Sequence, residues 1–188
     1  AQQDIDAMGN ISCEQAAEET SRPLASAEDY ARFSSAGDNV KIASAGYAAQ
    51  IASAGYSARI GSVGYNTHIG SSGDRGRIAI AGNSARISSV GDGTRIASTG
   101  MRVRISSLGD RNRIACGGDL TQLACFGAES KIANCADNIH IIASGENAVV
   151  ASTGTVDSIT LGPGGCAALA YHDGERMRFA LAVEGEKN

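Results

Sequence analysis

The chain has no tryptophan, three phenylalanines, five tyrosines and two prolines in 188 residues. With aromatics at 4% and apolar residues at 43%, a core built around large rings is excluded. Alanine, serine, glycine and isoleucine supply the bulk instead, which predicts a thin interior of small side chains. The five cysteines form no CxxC pair and are irregularly spaced, so neither a zinc site nor a disulfide framework is indicated. Cys116, Cys125 and Cys135 read as buried free thiols. No run approaches the ~18 apolar residues of a membrane span. The opening AQQDIDAMGN has neither a basic nor an apolar targeting region, so no signal peptide is visible. The absence of an initiator methionine and the stop at EGEKN read as the ends of a piece of something longer.

What is present is repetition. Taking the large apolar position as zero, Leu24, Phe33, Ile42, Ile51, Ile60, Ile69 and so on to Val150 and Ile159 recur every ninth residue without an insertion. Glycine stands at +4 from Gly37 to Gly127, and again at Gly145 and Gly154; Glu28, Ala136 and Pro163 are the exceptions. Around each zero position the pattern alternates, as in SARIGS at 57–62, so −2, 0 and +2 face one way and −1 and +1 the other. Glycine at +4 is expected to supply a left-handed corner. Glycine every ninth residue and β-branched residues at zero disfavour helix.

A nine-residue ring cannot close around its own isoleucines. Two repeats per coil place two strands face to face, and stacking at ~4.8 Å makes two parallel sheets. The fold expected is therefore all-β: a β-solenoid (β-roll) of about eight 18-residue coils, roughly 38 Å long. Residues 1–20, containing EQAAEE at 14–19, are expected to form a helical or irregular N-terminal cap, and residues 21–161 the solenoid. In residues 162–188, GPGG breaks the register, and a strand, Asp-Gly turn and strand follow as a hairpin cap or the start of a further domain.

The 18-residue coil sorts the surface into rows. On one sheet, position −1 reads Lys41, Arg59, Arg77, Arg95, Arg113 and Lys131, with Arg75 and Arg111 added at −3. The opposite sheet reads Arg32, Gln50, His68, Arg86, Arg104, Gln122 and His140, plus Arg102, and is less basic. The net charge of −4 hides a faintly basic middle, with eleven bases and eight acids in 41–161. The basic row is a candidate binding surface for a polyanion, nucleic acid or anionic glycan. Asp38, Asp74, Asp92 and Asp110, each three residues before a cation of the row, give the competing expectation that the charges compensate one another. No aromatics interleave with the row, so base stacking has little support. Corner Tyr47 and Tyr65 are expected to neighbour each other, with Tyr56 on the other edge; protecting the solenoid edge is preferred over a glycan platform. His68 and His140 lie four coils apart, on the order of 19 Å, and cannot share a metal. No Ser-His-Asp or Cys-His set can be assembled, and no metal, cofactor or small-molecule substrate is expected.

Three resemblances bear on this. The period is similar to that of calcium-binding secreted toxin repeats, but their GGxGxD motif is echoed only at Gly117-Gly118-Asp119, against calcium. SAGY resembles ice-nucleation repeats, yet their Thr-x-Thr ranks are missing and the outward strands bear arginine. SSGDRGRI at 71–78, SVGDGTRI at 89–96 and LGPGGCAALAY resemble the nonapeptide-repeat proteins of bacteria and their phages, strings of SGDSARIGSSG followed by an apolar segment. That resemblance covers roughly residues 30–188 and implies a phage or mobile-element setting, a repeat module, and no catalytic residues. The expected function is a non-enzymatic scaffold or protein-interaction module, with self-association or a protein partner, in a bacterial cytoplasm or on a virion. Polyanion binding, in counter-defence or attachment, is the alternative. An appendage of an enzyme whose catalytic domain is missing, and ice binding, rank below both.

Overall fold

The computed structural model describes residues 10–12, as backbone, and 23–183. The described chain is all β: a nine-stranded and a ten-stranded sheet, each taking every second strand in sequence order. Pairing is parallel with an 18-residue offset, for example Ile42 beside Ile60, Ile60 beside Ile78 and Ile78 beside Ile96. This is the β-solenoid of about eight coils.

Alternation decides which side chains are inside. Strands such as Lys41–Ser44 and Arg113–Cys116 expose the first and third residues and bury the second and fourth. The zero-position residues form one continuous core from Leu24 to Val150, each no more than 6% exposed, and Ala167 extends it. A parallel sheet normally needs both faces covered; here each sheet covers the inner face of the other.

The corners differ from expectation in a specific way. With the exception of Gly109 (φ 111°), the left-handed residue is not the +4 glycine but position −3: from Tyr30 to Asn147, every ninth residue has φ between 54° and 64°, and only Gly93 among them is glycine. That conformation points its N–H along the rod, as in Asn39 N–H to Tyr56 C=O (2.8 Å) and Arg111 N–H to Ala128 C=O (2.8 Å). The +4 glycine is required for space. A Cβ on Gly55 would lie 1.8 Å from the carbonyl oxygen of Gly37 in the preceding coil, and one on Gly127 would lie 1.7 Å from that of Gly109. Close stacking of corner on corner, not backbone handedness, selects glycine there.

At the N-terminal end, Asn10–Ser12 is a strand of the nine-stranded sheet, paired with Arg32–Ser35, so that sheet begins within the segment assigned to a cap. EQAAEE lies outside the described residues. At the other end, the break at Pro163 is a corner shortened by one residue, so that Ala167 stacks on Val150. The hairpin of Cys166–His172 and Met177–Val183 then prolongs the ten-stranded sheet: the first strand continues it in parallel, and the second closes it antiparallel. The cysteine expectation is corrected at one position. Cys116 and Cys125 are buried at +2, whereas Cys135, at +3, is exposed because +3 points outward.

Candidate polyanion-binding face

The ten-stranded sheet places Lys41, Arg59, Arg77, Arg95, Arg113 and Lys131 in one unbroken file, each directly beside the next. All six are exposed. Two residues further along each strand, Ala43, Gly61, Ala79, Ala97, Ala115 and Ala133 form a parallel file of small residues. The two files border a shallow groove of about 830 Å³ with a largely apolar floor.

On the other flank of the cations lies a second groove, of about 710 Å³ and polar. One wall is the strand row Arg59, Arg77, Arg95 and Arg113; the other is the corner, where Arg75 and Arg111 project from left-handed backbone. Gly93 stands between these two corner arginines and leaves a gap in the wall. Tyr56 joins the lining, and the Arg75 guanidinium carbon sits 5.6 Å over its ring centroid, a cation–π contact. The structure thus brings together six of the eight cations singled out in the sequence. Lys41 and Lys131 extend the strand row beyond the groove at its two ends.

The acidic corner residues have a task of their own. Oδ1 of Asp38 accepts the backbone N–H of Tyr56 (2.7 Å), and those of Asp74, Asp92 and Asp110 accept the N–H of Asp92 (2.9 Å), Asp110 (2.8 Å) and Ala128 (2.8 Å). Each spans one coil. On the opposite edge, Asp29, Asn83, Asp119 and Asp137 do the same. These carboxylates keep their negative charge beside the basic row, and among the described residues the ion pair at this edge is Arg111 with Asp92, at 3.8 Å. A carboxylate that caps the next coil's N–H is held at the corner, and among the described residues no salt bridge joins it to the strand row.

The other candidates separate. His68 and His140 stand in one file on the nine-stranded sheet with Arg86, Arg104 and Gln122 between them. Nδ1 of His140 is 2.8 Å from Ser158 Oγ, and its Nε2 is 3.7 Å from Asp157. Tyr47 and Tyr65 occupy successive corners, linked through Ala48 N–H to Tyr65 C=O. The ring that meets Tyr47 is Tyr30, edge-on at 5.7 Å, and Asn66 Nδ2 donates to the Tyr47 hydroxyl. Asp119, the residue of the toxin-like echo, spends Oδ1 on the N–H of Asp137 (2.9 Å).

Sequence reasoning missed the hairpin's outer face. Met177, Phe179, Leu181 and Val183 alternate along the last strand and are 57%, 66%, 72% and 45% exposed. The period-two apolar pattern was visible, but the strand's place at the end of its sheet was not.

Comparison with known proteins gives one short match. A stretch of 33 residues, 18% of this chain, is 82% identical to the "Uncharacterized protein YdhT" of Escherichia coli (strain K12), covering 12% of that protein's length. No family model matches, and no solved structure matches. No helix among the described residues is long and apolar enough to cross a membrane.

Proposed function

We propose that the chain is a non-enzymatic binding scaffold: a stiff rod whose repeats display interaction surfaces and whose end adheres to protein, first of all to a second copy. The observation that supports this best is the terminal strand Met177–Val183. Among the described residues it is the last strand of the ten-stranded sheet, and it turns four large apolar side chains outward on one face. Exposed apolar rows of this size on a protein surface mark sites of protein interaction. The separation of His68 and His140 along one file argues against their acting together in catalysis. The resemblance to bacterial and phage repeat proteins suits a module of this kind in a phage or mobile-element setting.

Multi-angle light scattering on the full chain tests the adhesive end. The expected result is a concentration-dependent dimer that Phe179→Lys returns to monomer, with an unchanged circular dichroism spectrum. A chain that stays monomeric at high micromolar concentration would remove self-association from the reading.

The second reading is polyanion binding through the Lys41–Lys131 row. It is favoured by a particular observation: six exposed cations stand in one unbroken file, and among the described residues none of them forms a salt bridge. Fixed cations at strand spacing on a rigid face would attract an anionic polymer, and the attraction would weaken as salt rises.

A further inference from the structure

The polar groove has two walls of different pitch. Along the strand wall, Arg59, Arg77, Arg95 and Arg113 recur once per coil, ~4.8 Å apart. Along the corner wall, Arg75 and Arg111 are separated by two coils, hence about 10 Å, with Gly93 opening the space between them. Six guanidinium groups therefore face two carboxylates, Asp74 and Asp92. Oδ1 of each carboxylate is hydrogen-bonded to backbone, and Oδ2 of Asp92 lies 3.8 Å from Arg111, a half-exposed pair that an incoming carboxylate would have to compete with. Guanidinium forks suit planar carboxylates held bidentately.

A ligand matching both walls is straight, runs along the rod, and offers anions on both edges. On the corner side those anions repeat at about twice the strand spacing, ~10 Å. An extended 1,4-linked uronic-acid chain has that form. Successive sugars turn over, so carboxylates alternate between the two edges and recur on each edge once per disaccharide. Duplex DNA fits less well. Its phosphates follow one another at ~3.4 Å along the axis of each strand and wind away from a straight file. Among the described groove residues only Tyr56 offers a ring on which a base could stack.

We propose that this groove binds an extended acidic polysaccharide along the rod axis, gripping alternate carboxylates between the strand arginines and Arg75 and Arg111. The proposal rests on the polyanion reading above and narrows it to one ligand class. Glycan recognition here is by charge at a fixed pitch, with Tyr56 held by Arg75 at one end of the groove.

The test uses the full chain and three probes at low salt: β-1,4-linked polymannuronate, a neutral 1,4-linked glucan of similar length, and duplex DNA. Binding is read by affinity electrophoresis and calorimetry. The variant Arg75→Asn with Arg111→Asn removes the corner wall while keeping residues that tolerate left-handed backbone, and Arg86→Asn with Arg104→Asn on the opposite sheet is the control. The expected result is retention by polymannuronate and not by the neutral glucan. The corner variant should weaken it about tenfold or more, and the control within about twofold. Equal loss in the control, or no loss in the corner variant, would overturn the groove assignment. DNA bound as well as or better than polymannuronate would overturn the glycan class but leave the polyanion reading standing. Retention by none of the three would bring down both.

Discussion

At the scale of single residues, much of the interior was legible and the corners were not. Alternation and the nine-residue spacing named every zero-position residue from Leu24 to Val150 that the structure buries. What the sequence obscured is which residue takes the unusual backbone. Arg75, Arg102, Arg111 and Leu120 all adopt positive φ, a conformation that side chains other than glycine, asparagine and aspartate disfavour by roughly 1–2 kcal/mol. It is held because each such N–H bonds the next coil, a constraint between residues seventeen apart that no local pattern displays. Asp137 shows how the acidic corners contribute. Its carboxylate accepts the backbone N–H of Thr155 (2.7 Å) and, second in effect, the Thr155 hydroxyl (3.0 Å), which lowers its pKa from the ordinary aspartate range. A depressed carboxyl stabilises the fold above its unfolded pKa, and that contribution is lost as pH falls through the folded value. An acid titration of stability should therefore show a smaller loss below about pH 4 in Asp137→Asn than in the parent chain. An equal loss would mean that this carboxylate does not feel its partners.

At the scale of elements, each repeat is one short strand and one corner, and the two halves obey different rules. The strand tolerates glycine wherever it faces out: a Cβ added to Gly61 or Gly70 would meet nothing within 4 Å. The corner does not tolerate the reverse exchange. Gly127→Ala drives a methyl group into the Gly109 carbonyl and is expected to cost at least about 3 kcal/mol, because neither backbone can retreat without opening the stack. Gly61→Ala should be neutral or slightly stabilising, through reduced freedom of the unfolded chain. Urea denaturation of the two variants checks both, and similar midpoints would refute the stacking account. The terminal hairpin was recognised as a hairpin from its Asp-Gly turn. Its position was unreadable because it depends on a single residue lost from the corner at Pro163, which lets Ala167 take the place on Val150 and carries the strand onward in the sheet.

At the scale of the whole molecule, the repeat converts a sequence spacing into straight files on a rigid surface. Two sheets taking alternate repeats is what separates the basic file from the mixed file of Arg32, Gln50, His68 and Arg86. That separation was available from the sequence once the coil length was assumed, and the strand registers bear it out. The engagement of Asp38, Asp74, Asp92 and Asp110 was not available. Spacing put each carboxylate near a cation, whereas the fold turns it toward a backbone N–H one coil away. Among the interaction surfaces that the scaffold reading gives the rod, the charge on the Lys41–Lys131 file is the one on which the polyanion claim turns, and its counterion release measures it directly. The quantity to measure is the affinity of the full chain for heparin as a function of sodium chloride. With six cations engaged, log affinity should fall against log salt with a slope near −4, by analogy with single-stranded polyanions, and the triple variant Arg59→Gln, Arg77→Gln, Arg95→Gln should halve that slope to about −2. A slope near zero, or one unchanged in the triple variant, would contradict the claim.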